Sequence, residues 1–236
     1  LAAAGLSARE LDLIIVATIT PDTCCPAAAN WLQAQVFSRM ESDELREAAS
    51  WALALRWFSF EILEALLEAP LNKAQYSRLT AYSFFVPSKI REGYKAGHDL
   101  IRKVHLKSLR REQPAKLNDF HARARAYFAN REDPTLEALY HGFFAAPQET
   151  FEHWKNVEGQ AAFAFLHEQW GRAVELALSP ELELPKELRA EIDLRAGTRH
   201  YYRAEWNLAE SFYQKALGLY REIGDRLGEA NVLKAI

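Results

Sequence analysis

The sequence predicts a mainly helical protein, and three observations carry that reading. Glycine and proline are scarce, 10 and 9 among 236 residues, so turns are few and the elements between them are long. From about Glu41 onward, apolar residues recur in steps of three and four, the spacing of a helix with one buried face. Only one stretch, residues 11–20 (LDLIIVATIT), is a continuous β-branched run of the kind that fills a strand buried on both faces. The balance of 49% hydrophobic and 26% charged residues supplies enough apolar surface for a core and excludes a disordered, low-complexity or collagen-like chain.

Each element follows in order. Residues 1–37 read as a helix tail, a strand ended by Pro21 and Asp22, a loop and a helix, an isolated βα segment. Leu45, Ala48, Ala49, Ala52, Leu53 and Leu55 lead into Trp57, Phe58, Ile62, Leu63, Leu66 and Leu67, one helical pattern closed by Pro70, and residues 74–79 open another short helix. Within residues 82–94, Tyr82, Phe84, Phe85 and Val86 surround Pro87, Ser88 and Gly93, which predicts a short β-hairpin. Helix resumes at residues 100–109. Pro114 punctuates it, and residues 115–129 form a helix whose inner face is Leu117, Phe120, Ala124, Tyr127 and Phe128. Helix, helix, hairpin, helix is the outline of a winged-helix-like unit, placed at residues 41–131. Residues 132–236 read as helices broken at Pro134, Pro147, Pro180 and Pro185, whose short connections predict antiparallel pairs.

Charge divides the chain. Residues 86–131 hold twelve Lys or Arg against four Asp or Glu, a local net of +8 inside a chain whose formal charge is -3. The basic run Arg102, Lys103, Lys107, Arg110 and Arg111 is a candidate nucleic-acid contact. The same helix carries Leu100, Ile101, Val104, Leu106 and Leu109, which need burial, so its charges are equally a wet face. Apolar runs such as residues 13–17 and 161–166 fall short of the roughly 18 residues of a membrane span. The two cysteines, Cys24 and Cys25, are adjacent, a spacing that points to free thiols and a reducing, cytoplasmic location.

The tail carries a repeat signature. Ala209, Tyr213 and Ala216, with Gly197 twelve residues upstream of the first, resemble the small and aromatic positions of a tetratricopeptide repeat, and residues 217–230 resemble its extended bacterial form with a Gly224-Asp225 turn. A further repeat is expected to open at Ala230, with Leu233 and Ile236 on its inner face. Residues 160–178 give a weaker match, with Ala161, Ala162 and Phe165 on one helix and Trp170, Ala173 and Ala177 on the next. The resemblance implies an α-solenoid of helix pairs over residues 132–236, presenting a concave surface to a protein or peptide. Tyr201, Tyr202, Trp206 and Tyr213 are candidates to line that surface, and core packing is their alternative duty.

The middle of the chain resembles the regulatory arm of STAND-class (NB-ARC-like) signalling ATPases. The residues are Ala54, Leu55, Arg56, Trp57 and Phe58, then Glu61 through Leu67, the Leu79 to Phe85 run, then Gly93 and Tyr94, His98 through Arg102, and finally Leu117, His121, Ala124 and Tyr127. In that family a winged helix precedes tetratricopeptide repeats, the order expected here. Gly97, His98 and Asp99 stand at the family's Met-His-Asp motif, which implies that His98 and Asp99 sense a bound nucleotide. The 236 residues contain no G-x-x-x-x-G-K-[ST] phosphate loop, so no cofactor is expected on them, and ADP or ATP enters only through a P-loop domain of a longer parent.

Residues 1–37 resemble the N-terminal part of β-ketoacyl-acyl-carrier-protein synthase III, a thiolase-fold acyltransferase. That resemblance rests on Ala4, Gly5, Leu6 and Ser7, the run Asp12 to Thr18, and Thr20, Pro21, Asp22, Pro26, Ala27 and Val36. The family's nucleophile lies beyond this stretch, and neither Cys24 nor Cys25 takes its place. The change of resemblance predicts a fusion or misjoined junction between Gln35 and Glu44, and the chain reads as a piece of a longer one. His167 and Glu168 begin an H-E-x-x-H string that stops at Gly171, so no metal site and no catalytic residue is expected. The reading that follows is a non-catalytic interaction and regulatory scaffold, with an acyltransferase fragment and a winged-helix DNA binder as alternatives.

Overall fold

The computed structural model describes residues 37–38, 40–131 and 136–236, and the βα segment expected at residues 1–37 lies almost wholly outside them. The described residues form eleven helices and a two-stranded antiparallel sheet. They divide into two compact units between Phe120 and His121.

In the first unit, Ser42 starts α1 (Asp43–Ala54) by accepting the Leu45 N–H at 3.2 Å, the N-cap chemistry expected of a serine. The helical pattern expected to run unbroken from Leu45 to Leu67 is interrupted. Phe58 exchanges both backbone hydrogen bonds with Lys95, at 2.7 and 3.0 Å, which breaks the helix before Ser59 caps α2 (Phe60–Leu66). A reciprocal Asn72–Gln75 capping box opens α3 (Lys73–Ala81).

The hairpin pairs β1 (Phe85–Pro87) with β2 (Lys95–Gly97). Its second strand lies beyond the expected residues 82–94, because residues 88–94 form the turn itself. There the Ser88 hydroxyl accepts the Ile90 and Arg91 N–H groups, and Gly93 holds a φ of 81° that favours glycine. Arg91 lies over the Trp57 and Tyr94 rings, 4.7 Å from each centroid, and ties the turn to the core. Helix α4 (Asp99–Glu112) packs on α1, and Leu53, Leu55, Trp57, Phe58, Leu63, Leu79 and Phe84 are buried within the unit. A Cβ on Gly97 would fall 2.3 Å from Leu53 Cδ2, so close packing of β2 on α1 accounts for glycine at that position.

Helix α5 (Pro114–Ala129) begins on a proline, whose missing N–H is no loss at a helix start. The second unit continues with α6 (Glu137–Ala145), α7 (Pro147–Phe163), α8 (His167–Ala177), α9 (Lys186–Tyr202), α10 (Trp206–Ile223) and α11 (Arg226–Ala235). Consecutive helices pack on one another across short turns, as αα-hairpins do. Tyr140, Trp154, Trp170 and Ile192 centre one apolar cluster, and Ala209, Tyr213, Ala216, Tyr220 and Val232 the next.

Small residues set the spacing. A Cβ on Gly197 would sit 2.5 Å from Tyr213 Cε1, and one on Gly228 would sit 2.3 Å from Tyr220 Cδ1, so each ring lies flat against a helix that lacks a side chain there. The last helix differs from expectation. Asp225 accepts the Leu227 and Gly228 N–H groups and starts α11 four residues before Ala230. Its inner face is therefore Gly228 and Val232, while Leu233 and Ile236, expected inside, are 54% and 58% exposed. Among the described residues, no helix is long and apolar enough to cross a membrane.

Candidate functional site

Three turns of the second unit share one backbone geometry. After α7, the Phe165 N–H bonds Ala162 O and the Leu166 N–H bonds Ala161 O. After α9, Ala204 and Glu205 bond Tyr201 O and His200 O. After α10, Gly224 and Asp225 bond Arg221 O and Tyr220 O. These are paired 5→2 and 6→1 closures around one left-handed residue, the Schellman arrangement. The left-handed residues are Phe165, Ala204 and Gly224, with φ of 54°, 57° and 75°. Phe165, read from sequence as part of a helix, thus sits in a turn, 69% exposed, with Phe163 beside it 88% exposed.

The turn after α7 and the end of α9 edge a groove of about 730 Å3, walled by Phe163, Phe165 and Tyr202 and reaching Asn231 and Ala235 of α11. Its floor is an ionic network. Arg195 donates to Glu158 Oε2 at 2.7 Å and to Glu191 Oε1 at 2.8 Å. The Trp170 indole N–H donates to Glu158 Oε1 at 2.6 Å, and the Tyr220 hydroxyl to Glu191 Oε2 at 3.0 Å. Burial, and then the neighbouring Glu191 charge, raises the Tyr220 phenol well above its ordinary range and keeps it a donor.

The four aromatic candidates separate. Tyr213 is buried, but Tyr201, Tyr202 and Trp206 are 48%, 63% and 58% exposed. Tyr201 meets Trp206 edge-on at 5.2 Å and Tyr202 at 5.8 Å, and Tyr202 lies 6.0 Å from the Trp170 ring. They form one apolar ridge continuous with the groove wall. Contiguous exposed patches of this kind mark interaction sites more often than scattered apolar residues do. The groove floor was missed in sequence, because Glu158, Glu191 and Arg195 look there like ordinary charges on solvated helix faces.

His98 occupies the position before α4. Its backbone N–H bonds Phe84 O at 2.7 Å and its carbonyl accepts from Arg102, so it is the N-cap residue by its backbone, and its ring makes no capping hydrogen bond. Asp99 is exposed and lies 3.6 Å from Lys89. Neither residue lines the groove or the second cavity described below. In the basic run on α4, Arg102 is no part of a wet face. It is buried, with Nε on Leu55 O at 3.1 Å. Leu100, expected inside, is 37% exposed.

Two buried histidine sites were not legible in the sequence. His105 donates or accepts through Nε2 with the Ser50 hydroxyl at 2.9 Å and faces Ser50 O at 3.1 Å. It stacks on Phe37 at 5.1 Å, in a cavity of about 560 Å3 that also meets Arg46, Arg111 and Lys116. Burial pulls its pKa down from 6.5 to about 4, so the ring is neutral at pH 7. His121 and His141 meet Nδ1 to Nδ1 at 2.7 Å, both fully buried, with Glu137 Oε2 3.8 Å from His141 Nε2. One ring donates and the other accepts, so both cannot be imidazolium while that contact holds. Among the described residues, no group of three His, Cys, Asp or Glu is placed to hold a metal ion. The chain matches no protein-family model, no curated protein and no solved structure.

Proposed function

We propose that this chain is a non-catalytic protein-interaction and regulatory scaffold, a winged-helix-like arm followed by tetratricopeptide-like helix pairs of the kind that occurs in STAND-type signalling ATPases. Three features support the arrangement. The Phe58–Lys95 bridge sets a third extended segment beside the hairpin, with α2 and α3 between that segment and β1. Gly197 against Tyr213 and Gly228 against Tyr220 repeat one small-on-aromatic contact. The turns after α7, α9 and α10 close alike.

The observation that carries the reading is the groove of the second unit. Its walls are aromatic, its floor is polar and internally bonded, and an exposed ridge of Tyr201, Tyr202 and Trp206 continues it. That composition suits an extended peptide, which brings its own backbone hydrogen bonds and inserts alternate side chains. The nucleic-acid reading has less support, since Arg102 serves Leu55 O rather than the surface.

Selection from a random peptide library displayed on phage tests the proposal. Clones enriched on the full chain should bind with micromolar dissociation constants and lose about tenfold or more on the double variant Phe165→Ala, Tyr202→Ala, the loss expected when interface aromatics are truncated. Failure to enrich any clone, or clones that bind both proteins alike, would remove the groove from consideration.

A further inference from the structure

We propose that the groove selects peptide segments carrying a lysine or arginine among apolar side chains, the cation entering between Glu191 and the rings of Tyr202 and Phe165. The inference rests on the groove reading above and adds the chemistry of the partner.

The charge balance of the groove makes the argument. Its charged lining residues are Glu158, Glu191 and Arg195, which leaves one net negative charge. Arg195 is already engaged by both carboxylates, at 2.7 and 2.8 Å. Trp170 Nε1 in the floor and Tyr220 Oη behind it are committed to the same two carboxylates, the Thr198 hydroxyl donates to Leu194 O, and the Asn231 amide at the rim is neutral. An incoming carboxylate or phosphate would have to displace an existing ion pair and would meet net repulsion. An incoming cation meets the opposite situation. Glu158 is 3% exposed and held from two sides, but the Glu191 side chain is 29% exposed and retains lone pairs for a second donor. The aromatic walls favour cations over anions through the negative faces of their rings.

The surroundings act in the same direction at longer range. Residues 136–236 carry eleven Lys or Arg against sixteen Asp or Glu, a net of -5. That field attracts a basic segment and opposes an acidic one.

The test is a positional-scanning library of short peptides, capped at both ends so that terminal charges play no part. One central position is fixed as each amino acid in turn, and the labelled full chain is applied at about 50 mM salt, where screening is modest. The Lys and Arg sub-libraries should retain about tenfold more protein than the Asp and Glu sub-libraries, and Glu191→Gln should shrink that ratio at least threefold. Because Glu191 also anchors Arg195 and Tyr220, a second pair of variants guards the test. Gly159 lines the groove, and a Cβ there meets open space. Gly159→Lys should depress retention of the basic sub-libraries, and Gly159→Glu should raise it.

Preference for the acidic sub-libraries would overturn the proposal, as would Gly159 variants that act in the reverse order. Retention that is even across all fixed residues would overturn the charge inference and leave the groove reading standing. No retention by any sub-library would overturn both.

Discussion

At the scale of single residues, His105 is the group whose chemistry reaches furthest beyond its size. Burial is the larger influence and lowers its pKa to about 4, and the hydrogen bond to the Ser50 backbone opposes it only in part. The folded state therefore holds a neutral ring, while the unfolded chain takes up a proton near the ordinary value of 6.5. Stability is complete above about pH 6.5, declines as pH falls from there to about 4, and is flat below. The loss is about 3 kcal/mol across that window. Urea midpoints measured between pH 7 and 4 should show this decline in the parent and a flatter limb in His105→Gln. Equal slopes in the two proteins would show that another group sets the acid limb. Ala204 gives a second single-residue expectation. An L side chain in the left-handed region costs about 1–2 kcal/mol, and glycine's backbone entropy returns part of it. Ala204→Gly should therefore raise stability by about 0.5–1 kcal/mol, and a lower urea midpoint would contradict the turn geometry.

At the scale of elements, the α9–α10 pair shows what patterned spacing makes legible. Gly197, Ala209, Tyr213 and Ala216 were readable because the contact they make is periodic and local, and the structure seats Tyr213 on Gly197 as that spacing requires. Gly197→Ala forces the ring or the helix aside and should cost roughly 2 kcal/mol, in the range of overpacked cores, checked by chemical denaturation. Elements fixed by distant partners were less readable. The segment at Phe58 reads as helix until Lys95, thirty-seven residues later, supplies its backbone partners. The start of α11 depended on one capping carboxylate, Asp225, which outweighed an apolar pattern that placed Leu233 and Ile236 inside. The groove floor was invisible because it joins Glu158 of α7 to the Glu191–Arg195 pair of α9, and each helix by itself shows only ordinary surface charges.

At the scale of the whole molecule, the division between Phe120 and His121 makes a claim about cooperativity. Each unit has its own apolar core, and compact units of this kind open with their own free energies. In amide hydrogen exchange, Gly197→Ala should speed exchange through α8 to α11 and leave the amides of α1 to α4 at their parent rates. Uniform acceleration across both sets would mean that the chain unfolds as one block. Charge is partitioned as unevenly as the packing, with the basic excess in residues 86–131 and the acidic excess in the helix pairs that follow.

The turn after α7 ties two opposing pressures to one codon. A glycine at position 165 would relax the backbone, yet it would also strip an aromatic wall from the groove, so variants chosen for heat tolerance should drift toward glycine there and, on the proposed reading, bind peptide less well. Position 165 thus sets backbone ease against a ring on the groove wall through a single dihedral angle.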